Sequence, residues 1–110
     1  MKIVNKTAFL LLPDGTVFSK YVPCVFSNIE IKGATVNGND YLYQEIADSI
    51  KCEGSCYYSD KLHDAVENGA SLEMDFDSLV RDGSYDDEQL YAVWSKKDVK
   101  LLIKKLLLDL

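Results

Sequence analysis

Apolar and polar positions change period several times along the 110 residues. Thr7-Ala8-Phe9-Leu10-Leu11-Leu12 is a continuous apolar run, the pattern of a strand buried on both faces. Pro13-Asp14-Gly15-Thr16 follows as a turn, because Asp can bond its own backbone and Gly accepts positive φ. Val17 to Val22 returns as the partner, so this region predicts an N-terminal β-hairpin around Asp14-Gly15. Pro23 ends that strand or sits at its edge. Val25 to Val36 predicts a third strand, with Ile29, Ile31 and Ala34 interleaving with Glu30 and Lys32.

The period then changes. Asn37-Gly38-Asn39-Asp40 reads as a turn followed by a helix cap, with Asp40 accepting from a first-turn amide. Leu42, Ile46 and Ile50 form one stripe at helical spacing, which predicts a helix from Asp40 that stops near Cys52 before Glu53-Gly54-Ser55. A short helix is predicted over Asp60 to Asn68, capped by Ser59 or Asp60 and ended by Gly69. Leu72, Met74 and Phe76 alternate with Glu73, Asp75 and Asp77, a strand pattern with one acidic, wet face. Gln89 to Trp94 predicts the last strand. Ser95-Lys96-Lys97-Asp98 matches a capping box, and the helix it opens is predicted to run to the end of the chain.

That last helix is amphipathic. Val99, Leu102, Ile103, Leu106, Leu107 and Leu110 share one face, while Leu101 and Leu108 lie nearly opposite it. Five lysines beside leucines also fit a membrane-surface helix. The core of a small domain needs the main apolar face, however, so the expectation is a core helix and no membrane partner. Leu101 and Leu108 then mark a second interface. The whole predicts an α+β fold: one domain over residues 1–110, with an antiparallel sheet (N-terminal hairpin plus later strands) packed by about three helices.

Charge narrows the function. The net charge is -6, which argues against direct nucleic-acid binding by general attraction to phosphates. Residues 60–88 hold ten acids against Lys61 and Arg81, whereas residues 89–110 hold two acids and five lysines. The middle block is therefore the source of the negative charge. Its sharper reading is a docking surface for a basic partner. On that reading Asp75, Asp77, Asp82, Asp86, Asp87 and Glu88 steer and pair with Lys or Arg, and Tyr85 anchors. An EF-hand register is absent, since Asp75, Asp77, Asp82 and Gly83 do not keep its spacing.

Candidate chemistry changes the picture little. Cys52 and Cys56, with His63 beyond and Cys24 upstream, supply the ligand types of a zinc site. The second cysteine pair is missing, however, so no metal is expected and the thiols are expected to be at least partly buried. No nucleophile elbow frames a cysteine, and no phosphate-binding Gly loop occurs. The expectation is no enzyme, no catalytic residue and no cofactor. The odd count of cysteines, the opening Met1 to Lys6 without a secretory apolar stretch, and the short apolar runs make the cytoplasm the expected compartment.

By character, though through no motif, a short acidic chain of this kind is similar to stoichiometric inhibitors such as toxin-immunity proteins and phage anti-defence proteins. The expected partner is then a basic protein such as a nuclease toxin, neutralised by covering its active surface. The alternative is a structural or assembly subunit that forms a homodimer through its C-terminal helix.

Overall fold

A computed structural model of the protein describes residues 1–53 and 55–108. In chain order its elements are β1 (Lys2–Val4), α1 (Lys6–Leu10), β2 (Val17–Val22), β3 (Val25–Phe26), β4 (Glu30–Val36), β5 (Asp40–Glu45), α2 (Ser55–Asn68), β6 (Val80–Arg81), β7 (Leu90–Val93) and α3 (Lys96–Leu106). The strands form one sheet in the order β1-β7-β2-β4-β5-β6, with β3 folded back on β2. Every pairing is antiparallel. The fold is α+β, as the pattern of elements predicts.

Several segments depart from the expected elements. Thr7–Leu12 is not a strand: residues 6–10 form α1, and the expected N-terminal hairpin is a helix, a turn and a strand. Asn5 decides this locally, because its side chain accepts from the Ala8 N–H at 2.9 Å. Tertiary pairing decides it globally, because β7 bonds β1 on one side and β2 on the other. The Pro13–Thr16 turn survives, closed by Thr16 N–H to the Pro13 carbonyl at 3.3 Å, with Gly15 at a φ of 90°. The expected third strand divides into β3 and β4.

Asp40 to Cys52 is not a helix either. Asn37 and Gly38 both have positive φ (54° and 72°), and the three-residue loop Asn37–Asn39 turns β4 directly into β5, with Val36 opposite Asp40. Tyr41 and Tyr43 therefore point to one face, with Asp40, Leu42 and Gln44 on the other. The pairing shifts register between Lys32 and Thr35, where Gly33 lies. A Cβ on Gly33 would sit 3.1 Å from the Leu42 Cβ, so the absent side chain lets β5 approach. The expected strand at Leu72–Asp77 is reduced to one bridge, Ile50 to Met74, and α2 starts at Ser55, earlier than predicted.

The core is small and aromatic. Phe9 from α1 descends onto the sheet face that carries Phe18, Tyr41 and Tyr91, and all four side chains are fully buried. Phe9 stacks on Tyr91 with ring centroids 3.9 Å apart and meets Phe18 and Tyr41 edge-on at 4.7 and 4.9 Å. Burial pushes the Tyr91 phenol up to about 12 and Tyr41 higher still.

The C-terminal helix starts as predicted. Ser95 and Asp98 form the reciprocal capping box, and Asp98 also receives the Met1 ammonium at 2.6 Å. That ammonium, with the Ser95 bonds, holds the Asp98 carboxyl down at about 2. The expectation that its apolar face lies in the core does not hold: none of the helix's residues is buried. The radius of gyration is 15.9 Å, against about 13 Å for a compact domain of this length. Among the described residues, no helix is long and apolar enough to cross a membrane.

Candidate interaction surface

The acidic residues do not form one patch. Asp82 is turned inward, its side chain only 2% exposed, and it takes a 2.5 Å ion pair from Lys20 on β2. Its burial would raise the carboxyl pKa, but the bonds from Lys20 and Ser84 bring it below the usual value. Asp82 is thus a structural group and is not presented to a partner. Asp75 and Asp77 lie in the segment held against Ser49–Lys51, where Asp75 accepts from the Asp77 N–H at 3.0 Å. This places them beyond β5, with β4 and β2 between them and β7.

Tyr85, Asp86, Asp87 and Glu88 are brought together in the loop between β6 and β7, and all four are exposed. Short-range bonds build this loop. Asp86 accepts from the Glu88 N–H at 3.0 Å, and the Arg81 guanidinium donates to the Tyr85 hydroxyl at 3.1 Å. Arg81 is itself held by the fully buried Asp40 through a 2.5 Å bond from its Nε. Asp40's burial favours protonation, but bonds from Arg81, the Gly83 N–H and Tyr41 outweigh it and depress the pKa. The residue expected to cap a helix is instead the anchor of the acidic loop.

Beside this loop lies an apolar tip that the pattern of the chain did not single out. The β2–β3 hairpin turns through Pro23 and Cys24, and Cys24 takes a φ of 67° while its N–H donates to the Tyr21 hydroxyl at 3.0 Å. Val22, Val25 and Phe26 on this hairpin are all more than half exposed. Gln89 Nε2 donates to the Tyr21 carbonyl at 3.0 Å, and Leu90 pairs with Tyr21, so the tip and the acidic loop share one end of the sheet. A turn-forming Pro between two valines was the available signal. Its meaning depended on the strand being at the surface.

A second polar group occupies the core face beyond the reach of α1. Glu30 opens β4 opposite Phe18 on β2 and Glu45 on β5. It is only 9% exposed, and desolvation is the main cause that pushes its carboxyl up to about 7, reinforced by Glu45, Asp82 and Asp48 against Lys20. Glu45 is also raised, through its bond to Asp48 and by burial, although the Tyr43 hydroxyl donates to it at 3.1 Å. The adjoining cleft, lined by Glu45, Asp48, Ser49, Ile50, Asp75, Ser78 and Val80, holds about 110 Å³. That is room for a few waters and well below the roughly 300 Å³ at which small-molecule sites begin.

The cysteine and histidine candidates do not converge. Cys24 is exposed at the hairpin turn, a correction to the expected burial, and His63 is exposed on α2. The Cys56 side chain lies outside the described residues. Among the described residues no cluster of three or more His, Cys, Asp or Glu could hold a metal ion. Leu101 and Leu108 are exposed, and so are Ile103, Leu106 and Leu107 of the main stripe. Comparison with protein-family models, with curated proteins and with solved structures finds no match to this chain.

Proposed function

We propose that this protein is an acidic binding protein that neutralises a basic protein partner, such as a nuclease toxin, by covering its active surface. The observation that carries the reading is the end of the sheet where exposed Tyr85, Asp86, Asp87 and Glu88 adjoin the apolar tip of Val22, Val25 and Phe26. A central apolar anchor flanked by charge is the composition of a protein interface, whereas a surface kept acidic only for solubility has no use for the anchor. The loop is also pre-organised, through Asp40, Arg81 and the Asp86 turn, so little order is lost on docking. Acids supply long-range steering, and a phosphate-binding partner supplies the complementary basic face.

The test is kinetic. The chain is used as bait in its native host, the captured partner is purified, and association is followed over a salt series. Wild type should show an on-rate that falls steeply with salt, and should block the partner's activity at one-to-one stoichiometry. Reversing Asp86, Asp87 and Glu88 to Lys should slow association with little change in the fold, because exposed charges contribute little to stability. Full inhibition by the reversed protein, or a salt-independent on-rate, would move the site elsewhere.

A further inference from the structure

Among the described residues, α3 is most covered by the body in its first two turns. Val99 and Leu102 are half-buried, and the Met1 ammonium ties Asp98 at 2.6 Å. Beyond that point the stripe continues without a partner: Ile103 is 49%, Leu107 57% and Leu106 68% exposed. The fold fills its core with aromatic rings from α1 and the sheet and does not use this face. The reason for expecting a core helix is thereby removed, and the apolar stripe requires another occupant.

The charges select that occupant. At 100° per residue, Val99, Leu102, Ile103 and Leu106 span an arc of roughly 100°. Lys97, Lys100, Lys104 and Lys105 all lie outside it, and the one acid in α3, Asp98, is neutralised by Met1. A second copy packed stripe to stripe would bring the flanking Lys100 and Lys105 toward lysines of the other helix. An anionic bilayer meets the same lysines with opposite charge and takes the leucines into its acyl boundary. We infer that α3 is a membrane-surface helix that lies in the headgroup region of an anionic lipid bilayer. The acidic loop does not prevent this. It precedes β7 while α3 follows it, and a four-residue strand separates them by about 13 Å, beyond the Debye length of roughly 8 Å at physiological ionic strength. The inference is independent of the acidic-loop reading, since no partner protein enters its test.

The experiment is co-sedimentation of the full chain with vesicles of phosphatidylserine in phosphatidylcholine, and with vesicles of phosphatidylcholine alone. Binding is expected to the first and not to the second, and it should weaken as salt rises. The combined change Lys100→Gln, Lys104→Gln and Lys105→Gln should lower affinity roughly a hundredfold, at about fivefold per lysine. Leu106→Ser with Leu107→Ser should abolish binding. Both variants change exposed side chains, and their thermal unfolding is to be matched to wild type. Failure to bind anionic vesicles, equal binding to neutral ones, or unchanged binding by the leucine variant each overturns the inference. So does concentration-dependent self-association, lost in the leucine variant, by a chain that ignores vesicles; the occupant is then a second copy.

Discussion

The substitution Glu30→Gln should stabilise this protein above neutral pH, against the usual direction of changes at buried positions. Glu30 is 9% exposed and pairs with Glu45 across β4 and β5. Desolvation first, then neighbouring acids, carry its pKa from 4.5 to about 7. At about 1.4 kcal/mol per pKa unit, this shift corresponds to roughly 3 kcal/mol of ionisation cost in the folded state. The sign follows from proton counting. Between pH 4.5 and about 7 the folded chain retains a proton that the unfolded chain has lost. Stability is therefore greatest below the unfolded pKa and falls as pH rises through that window, reaching a plateau above it. The amide of the variant mimics the protonated carboxyl at every pH. Urea unfolding of both proteins, from below pH 4.5 to above 7, should show similar stability at the acid end. At the alkaline end the variant should lead by about 3 kcal/mol. Some slope should persist in the variant, because Glu45 is raised in the same direction. A Glu30→Gln variant less stable than wild type at about pH 8, one unit above the raised pKa, or two parallel curves, would refute the argument and show the carboxylate ionised and paired in the fold.

The other expectations concern packing, pairing and the hairpin. Phe9→Ala removes the ring on which three other aromatics close, and should cost about 3–5 kcal/mol in urea unfolding; a cost below ~1.5 kcal/mol would show that α1 does not seal the core. Asp82→Ala strands Lys20 and should cost about 2 kcal/mol near neutral pH, while Asp87→Ala should stay within about 0.5 kcal/mol. Because the Asp82 pKa is depressed, its contribution should be present above the unfolded pKa and be lost toward acid, which denaturation at low pH will check. Gly38→Ala forces a Cβ into a φ of 72° and should lower stability by roughly 1 kcal/mol, read as a shift in the thermal midpoint.

Local chemistry alone determined several elements of this protein. The Ser95–Asp98 capping box, the Asp14-Gly15 turn, the strand at Val17–Val22 and the one near Leu90–Val93 rest on hydrogen bonds or alternation within a few residues, and all are legible from the sequence. Asn37-Gly38 is legible as a turn, but the helical spacing of Leu42, Ile46 and Ile50 predicts a helix after it, and spacing cannot say which face is buried. What only the tertiary structure decided is the fate of each apolar run. Residues 7–12 look like a buried strand, yet β7 already bonds β1 and β2, so the run becomes a helix that lays Phe9 on the sheet. The same holds for charge. The acids of residues 60–88 are equal in composition, but Asp82 faces inward to Lys20, whereas Asp86, Asp87 and Glu88 face water beside an apolar tip supplied by a hairpin some sixty residues earlier. The α3 stripe carries the periodicity of a core helix and is not buried, because burial depends on whether a facing surface exists, and four aromatic side chains had already filled that space. Periodicity is a property of neighbours in sequence, and burial is a property of neighbours in space.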